Sequence, residues 1–355
     1  MQNLVRNFLW AAVLFEAVLV SARAAETNDL PKGVEVRPYT GWAESVFLNA
    51  AERPVQAVVV PAIGGRIVHF SLDGQNILFE NAASQGKTLA ESKGGFWVGG
   101  YQCDAGPEIR GLEAHQGLFS GPHHWRPQGD FSIRTHSEMD RYLGVRIEKD
   151  LVLDPESGDL GLTQRMVNDS AHTVSYCLWD RTLCKGGGFA FFPLNKKSRF
   201  KSGWSIRVKA GEQLMYEGNQ PYSPKVEVAD GILVAEASGE DTKVGADSDA
   251  GWVAYTRGKL LFVKYFPYTA AGNYSDGGNS VEVYFDQRVA ELEPISPEMK
   301  LQPGQNFTFP EKWTLIALDK EVATPDEVRK LVKRIPPSPF KKEVKAKPES
   351  KPGVK

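Results

Sequence analysis

Cysteine, net charge and long apolar runs are all scarce in this sequence. The 355 residues include 3 cysteines, and the spacing of Cys103, Cys177 and Cys184 suggests no zinc site. An odd number leaves at least one thiol free unless chains cross-link, and the sequence alone cannot pair the other two. The formal net charge of −2 argues against a nucleic acid partner, because phosphate binding needs a concentrated basic surface.

The apolar run that concerns targeting lies at the N-terminus. Arg6 precedes an apolar stretch over Phe8–Val20, and an A-x-A cleavage site ends at Ala24. Residues 1–25 are therefore predicted to be a signal peptide. An uncleaved membrane anchor stays open as the alternative, although the stretch is short for a span. We predict an exported protein, periplasmic or extracellular, with no membrane span after cleavage.

Short β-type runs and tight turns, in contrast, are abundant. Gly64-Gly65 permits a sharp bend, and Arg66–Leu72 then alternates as a strand, with Ile67 and Phe70 on opposite sides. Asp73-Gly74 is a strong signal for a two-residue hairpin. Further alternating runs follow over 142–153, 160–167, 173–179 and 280–318. These patterns predict an all-β protein with one large β domain over residues 26–320.

Two other segments have a different composition. Ser238–Ala250 is rich in glycine, aspartate and serine, which predicts a surface loop. Residues 321–355 are predicted to hold a short helix and a disordered tail rich in lysine and proline. The helix covers Ala323–Ile335, with Thr324 as its N-cap and Pro325 in its first turn.

Two groups of motifs carry a resemblance to a known family. The first is PAIGGRI at 61–67, followed by DG at 73–74 and NILFEN at 76–81; the second is ELEP at 291–294 with LQPG at 301–304. They resemble the galactose-mutarotase-like superfamily, and within it a branch of secreted bacterial proteins called domain of unknown function 4380. The resemblance implies a large antiparallel β-sandwich (a supersandwich) with a carbohydrate site on its concave face.

The resemblance also suggests which residues carry the chemistry. Mutarotase-like domains place a glutamate base in a late strand, which matches Glu293; Glu291 shares its face. They place a histidine acid on a strand that crosses the cleft, and here that strand reads YCLWDRTLC at 176–184. Asp180 or His115 is then the expected acid. The expected substrate-binding residues are Glu291, Arg66, Trp97, Tyr101, Gln102, Trp179 and Arg181.

Structural explanations for these residues stay open. The segment 84–113, which also holds Asp104 and Glu108, could simply be a loop that covers a sandwich edge. The Asp180-Arg181 pair could join the two sheets, and Glu291 and Glu293 could alternate on a solvated face.

Three functions are compatible with this reading. The first is an aldose or uronate mutarotase or epimerase, in which an arginine would suit an acidic sugar. The second is a non-catalytic carbohydrate-binding or cell-surface module of the same fold. The third is glycoside hydrolysis, with Asp104, Glu108 or Asp180 facing Glu293. We expect a carbohydrate ligand, no cofactor or metal, and a monomer.

Overall fold

A computed structural model describes residues 30–92, 96–107, 115–211 and 213–340 of the chain. The predicted signal peptide, the candidate Glu108 and the tail from residue 341 onward lie outside the described residues. The strands form two large sheets, and every pair of neighbouring strands is antiparallel. The prediction of a large antiparallel β-sandwich is confirmed.

Within the described ranges, the first sheet has thirteen strands. Its order from edge to edge is β1 (Val34–Tyr39), β2 (Trp42–Asn49), β3 (Val55–Val60), β4 (Arg66–Leu72), β6 (Gly100–Gly106), β11 (Val174–Lys185), β21 (Val289–Pro294), β20 (Val281–Phe285), β17 (Thr242–Ala246), β13 (Ser205–Ala210) and β14 (Gln213–Glu217). Two short strands pair beside this path, β5 (Gln75–Asn76) on β4 and β22 (Met299–Leu301) on β11.

The second sheet has ten strands among the residues that the structure describes. Its order is β15 (Val226–Ala229), β16 (Ile232–Glu236), β12 (Phe189–Pro193), β18 (Trp252–Arg257), β19 (Leu260–Tyr265), β23 (Asn306–Ala317), β10 (Leu160–Asn168), β9 (Val145–Leu153), β8 (Ser132–Ser137) and β7 (His123–Gly129).

The main core lies between the two sheets. Phe70 of β4 meets Phe262 of β19 and Trp313 of β23 edge to face, with ring centroids 5.9 and 5.7 Å apart. Such aromatic pairs bury large areas and favour this geometry. Tyr101 of β6 joins the group from the thirteen-stranded sheet, 5.5 Å from Trp313. The inner faces of both sheets therefore interdigitate as in other face-to-face sandwiches.

The strand over Arg66–Leu72 has the predicted bounds, but its side chains do not simply alternate between the two faces of the sheet. The register with β3 pairs Val58 with His69 and then Val59 with Ile67, which skips one residue. Such a β-bulge brings Ile67 onto the same side as Phe70, and both lie in the main core. Before the strand, Gly64 and Gly65 have positive φ values of 87° and 52°, as the predicted bend requires.

One predicted segment needs correction. The Gly/Asp/Ser-rich stretch 238–250 is not only a loop, because it contains β17, which is interior to the thirteen-stranded sheet. Gly245 in this strand allows a close approach, since a Cβ there would lie 2.5 Å from the Asn279 side chain.

Two short α-helices accompany the sheets. Helix α1 (Gln116–Ser120) follows His115, and helix α2 (Pro325–Leu331) confirms the predicted C-terminal helix with Thr324 as its N-cap. Val328 and Leu331 of α2 pack against the ten-stranded sheet on the side away from the main core. In the described part of the chain, neither helix is long and apolar enough to cross a membrane.

Candidate functional site

The strand β11 decides which predicted residues share a face, because successive side chains of a strand point to opposite sides. Leu178 and Cys184 belong to the main core, and Asp180 points the same way to contact Lys264 of the opposite sheet. Trp179 and Arg181 therefore point away from the ten-stranded sheet. We call that side of the thirteen-stranded sheet the outer face.

The register of three strand pairs aligns four polar residues on the outer face. Gln102 pairs with Arg181, and Glu282 pairs with Glu293. Thr182 pairs with Leu292, which places Arg181 beside Glu293. Gln102, Arg181, Glu293 and Glu282 thus form one row across β6, β11, β21 and β20, with about 4.8 Å between neighbouring strands. We call it the outer row.

Glu293 is fully buried and is held by two donors. The indole Nε1 of Trp179 donates to its Oε2 at 2.7 Å, and the Nζ of Lys243 donates to the same oxygen at 2.8 Å. The ammonium also lies over the Trp179 ring, 4.6 Å from its centroid. The other oxygen of Glu293, Oε1, has no hydrogen-bond partner among the described residues. The carboxylate is thus fixed through one oxygen and can accept a hydrogen bond through the other.

A second carboxyl group lies on the other side of Arg181. Asp104 of β6 is 1% exposed, and its Oδ2 accepts from Arg181 and, at 3.3 Å, from Gln102. Its Oδ1 has no hydrogen-bond partner in the described ranges. Burial raises the pKa of Asp104 above its usual value, although the Arg181 guanidinium acts in the opposite direction.

Arg66 lies near this group on the neighbouring strand β4. It donates to the Gly99 carbonyl at 2.9 Å and to the Ser120 hydroxyl at 3.0 Å, and it is fully buried. Burial lowers the pKa of Arg66 to about 10, while Asp104 opposes that shift. At neutral pH the guanidinium remains charged, so it adds positive charge to this part of the outer face.

Four residues of the polar group around Glu293 and Glu282 were not predicted from the sequence: Lys243, Glu282, Tyr216 and Asn279. Lys243 Nζ lies 3.0 Å from Glu282 Oε2 as well as 2.8 Å from Glu293. The Tyr216 hydroxyl and the Asn279 amide donate to Glu282 at 2.8 and 2.9 Å. The alternation in VEVYF could have indicated Glu282, whose apolar neighbours Val281 and Val283 lie in the core.

Two predicted site residues face the core instead. Asp180 is fully buried between the sheets, where it contacts Lys264 and accepts from the Thr182 hydroxyl at 2.8 Å. Tyr101 is also inside, and its hydroxyl donates to Gln164 at 3.2 Å. This placement disagrees with the prediction of Asp180 as an acid beside Glu293, because strand alternation puts it on the opposite face.

Three other predicted site residues, His115, Trp97 and Glu291, lie in different parts of the structure. His115 Nδ1 is 3.7 Å from Asp140, and its ring lies 5.4 Å from that of Tyr142, so its contacts are with the turn before β9. Trp97 packs 4.9 Å from Phe79 and 4.9 Å from the Arg288 guanidinium. Arg288 directly precedes β21, whereas Glu293 is near the C-terminal end of that strand. Trp97 therefore lies near the N-terminal end of β21, away from Glu293. Glu291 shares the outer face and contributes to the electrostatic environment of Arg66.

The cysteines and possible metal ligands were also open questions. Cys103, Cys177 and Cys184 are all buried, and none of the three forms a disulfide bond in the described structure. Burial raises the pKa of Cys103 and Cys184, which disfavours the reactive thiolate. Across the described ranges, no group of three His, Cys, Asp or Glu side chains is arranged to hold a metal ion.

Solved structures of other proteins resemble this architecture. A protein from Escherichia coli K12, provisionally named an aldose 1-epimerase, matches with a TM-score of 0.54 and 11% identity, covering 77% of this chain and 100% of that one. A galactose mutarotase-like protein from Lactobacillus casei ATCC 334 matches with a TM-score of 0.51 and 9% identity over 76% and 100% of the two chains. The chain has a galactose mutarotase-like fold.

The same fold comparison includes a protein from Synechocystis sp. PCC 6803, with a TM-score of 0.51 and 11% identity over 78% of this chain and 98% of that one. No family model matches the sequence, and no curated protein matches it. Membership of the branch called domain of unknown function 4380 therefore stays a prediction. Proteins that share one fold can have different functions, so the function has to be inferred from the residues of the outer row.

Proposed function

We propose that this protein binds a sugar on the outer face and exchanges its anomers, as a mutarotase or epimerase with Glu293 as the base. One observation carries the proposal. Glu293 Oε1 and Asp104 Oδ1 are buried carboxyl oxygens without a hydrogen-bond partner in the described chain, and they lie on either side of Arg181. Buried polar atoms are normally hydrogen-bonded; a sugar hydroxyl can donate to Glu293 Oε1, and a sugar ring oxygen can accept from the protonated form of Asp104.

Anomer exchange needs a base at the anomeric hydroxyl and an acid at the ring oxygen. In the proposed reaction, Glu293 accepts the proton of the anomeric hydroxyl while the bond between the anomeric carbon and the ring oxygen breaks. The ring oxygen takes a proton from Asp104, in place of Asp180 and His115. Burial favours the protonated form of Asp104. Ring closure on the other face of the carbonyl returns both protons.

The positive charges beside the two carboxyl groups suggest the substrate class. Arg181 and Arg66 are both close to Asp104, and guanidinium groups bind carboxylates in a fork geometry. A uronate is therefore our preferred substrate over a neutral aldose. Export to the periplasm or the exterior belongs to the same proposal, because it rests on the sequence of residues 1–25.

A second candidate function is a non-catalytic carbohydrate-binding module. The ion pair with Lys243 favours it, since a nearby ammonium stabilises the carboxylate of Glu293 and weakens it as a base. Glycoside hydrolysis has less support. Asp180 faces the core, and Asp104 is two strands, about 10 Å of backbone, from Glu293, which leaves only the wide spacing of an inverting enzyme.

The test is exchange NMR on anomeric proton signals across a panel of neutral sugars and uronates. The expected result is faster exchange with the wild type, strongest for uronates, and a loss of about 100-fold or more in Glu293→Gln. Glu138→Gln is the matched control, because Glu138 is 82% exposed beside the ten-stranded sheet. Uronate binding by calorimetry without any exchange would select the binding module. The absence of both binding and exchange would contradict both candidate functions.

A further inference from the structure

The pairing of Glu282 with Glu293 across adjacent strands leads to an inference about proton affinity. Both carboxylates lie within 3.0 Å of the single ammonium group of Lys243. All three side chains are almost completely buried. Two carboxylates and one ammonium leave an excess negative charge in a region of low dielectric constant, where charge interactions are stronger than in water.

The two carboxylates differ in how completely they are hydrogen-bonded. Glu282 Oε1 accepts from Asn279, and its Oε2 accepts from Tyr216 in addition to the contact with Lys243. Glu293 uses only Oε2, for Trp179 and Lys243, while Oε1 has no partner among the residues described. Glu282 is therefore saturated by protein groups, whereas Glu293 retains a lone pair for a ligand.

We propose that Glu282 is a positioning residue that acts through Lys243 and leaves Glu293 a stronger proton acceptor than a simple ion pair would. The inference rests on the proposed role of Glu293 as the base. Glu282 shares the ammonium, so Lys243 cannot pair with Glu293 alone. Its negative charge also repels the carboxylate of Glu293 on the adjacent strand. This arrangement offsets the weakening of the base that the ion pair with Lys243 would otherwise cause.

The titration of the pair fits this role. Burial raises the pKa of Glu282 to about 7, with Glu293 adding to the shift and Lys243 opposing it. The other titratable groups that face Glu282 are Tyr216 and, near it, Asp276. Burial raises the pKa of Tyr216, so its hydroxyl remains a donor. Two interacting carboxylates titrate as a pair, so the pair takes up a proton near neutral pH.

The experiment is a carbon NMR titration of the protein labelled with ¹³C at the glutamate carboxyl groups. In the wild type, one carboxyl titration is expected near pH 7. In Glu293→Gln that titration should move to lower pH, because Glu282 then has the ammonium of Lys243 to itself and no longer faces a second carboxylate. The signal of Glu282 is identified by its loss in Glu282→Gln.

A second variant keeps the test valid if Glu282→Gln does not fold. Tyr216→Phe removes a donor to the ionised form of Glu282 without removing a carboxylate, so the near-neutral titration should move to higher pH. A near-neutral titration that persists in Glu282→Gln, that stays unmoved in Glu293→Gln, or that fails to rise in Tyr216→Phe, overturns the proposal.

Activity measurements separate this inference from the proposed function. If the wild type exchanges anomers, the acidic limb of its pH profile should move to lower pH in Glu282→Gln. If the wild type exchanges no sugar but the NMR titration shifts as expected, the proposed function fails and the coupling between Glu282 and Glu293 stands.

Discussion

Replacing Lys264 with methionine is expected to destabilise the fold strongly. Lys264 Nζ contacts Asp180, lies 2.8 Å from the Thr182 hydroxyl and lies 3.4 Å from Glu311. The side chains of Lys264, Asp180 and Glu311 are all inaccessible to solvent. Methionine preserves the volume of the stem but removes the ammonium, so two buried carboxyl groups lose their common counter-charge.

The expected loss follows from the partners that remain. Glu311 keeps donors from Gln164 and Trp313 at 3.0 and 2.9 Å. Asp180 keeps only the Thr182 hydroxyl, and its Oδ2 has no partner in the described structure. Asp180 must then either stay charged without its counter-charge or take up a proton, and removal of one partner from a buried ion pair typically costs about 3–5 kcal/mol. A loss of this size is a large fraction of the free energy of unfolding of an ordinary domain.

The sign of the pH dependence gives a second check. Burial already raises the pKa of Asp180 well above its usual range, and Glu311 adds to this while Lys264 opposes it. Without Lys264 the pKa rises further, so the folded variant holds a proton that the unfolded chain releases above about pH 4. Its stability then falls as pH rises, and the deficit should shrink by up to about 1.4 kcal/mol per pH unit on acidification.

The assay is denaturant unfolding at several pH values. Asp180→Asn in the Lys264→Met background should recover part of the lost stability, since a neutral amide replaces the unpaired carboxylate. Lys320→Met is the control, because Lys320 is 77% exposed and its ion pair with Glu327 lies at the surface, so no change in midpoint is expected. A deficit below about 1 kcal/mol at pH 7, with no dependence on pH, would refute the reasoning.

Two further predictions concern the cysteines and the C-terminal helix. Since Cys103, Cys177 and Cys184 are buried and form no disulfide bond in the described structure, reducing agent should leave the melting temperature unchanged, and a thiol reagent should label three groups only after unfolding; labelling of fewer than three would indicate a bridge. Leu331→Ala should cost about 2 kcal/mol in denaturant unfolding, because Leu331 packs against the ten-stranded sheet; an unchanged midpoint would mean that α2 contributes nothing to the folded state.

The sequence predicted the fold well wherever a local signal was strong. The strand Arg66–Leu72, the turn at Asp73-Gly74 and the N-cap at Thr324 all depend on neighbouring residues, and each appears where it was expected. The face of the sheet on which Ile67 lies could not be predicted in the same way. It depends on a bulge in the pairing with β3, and the register between strands is a property of the whole sheet.

The candidate site was predictable only in part, and for a related reason. Trp179, Arg181 and Glu293 come together on the outer face, as the motifs suggested. Lys243 lies about 50 residues away in a segment whose composition resembles a loop. No local pattern links it to Glu293, because the contact arises from the order of β17, β20 and β21 in the sheet.

Strand β11 joins two buried polar groups, one on each of its faces. Its inward residues Asp180 and Thr182 bind Lys264, while its outward residues Trp179 and Arg181 bind Glu293 and Asp104. A strand that is anchored on both faces has little freedom to shift along its neighbours, and each partner fixes the direction of one side chain. The core network therefore supports the geometry of the outer row without touching a ligand. Asp180 supports the outer row in this way, by holding the strand that presents Trp179 to Glu293.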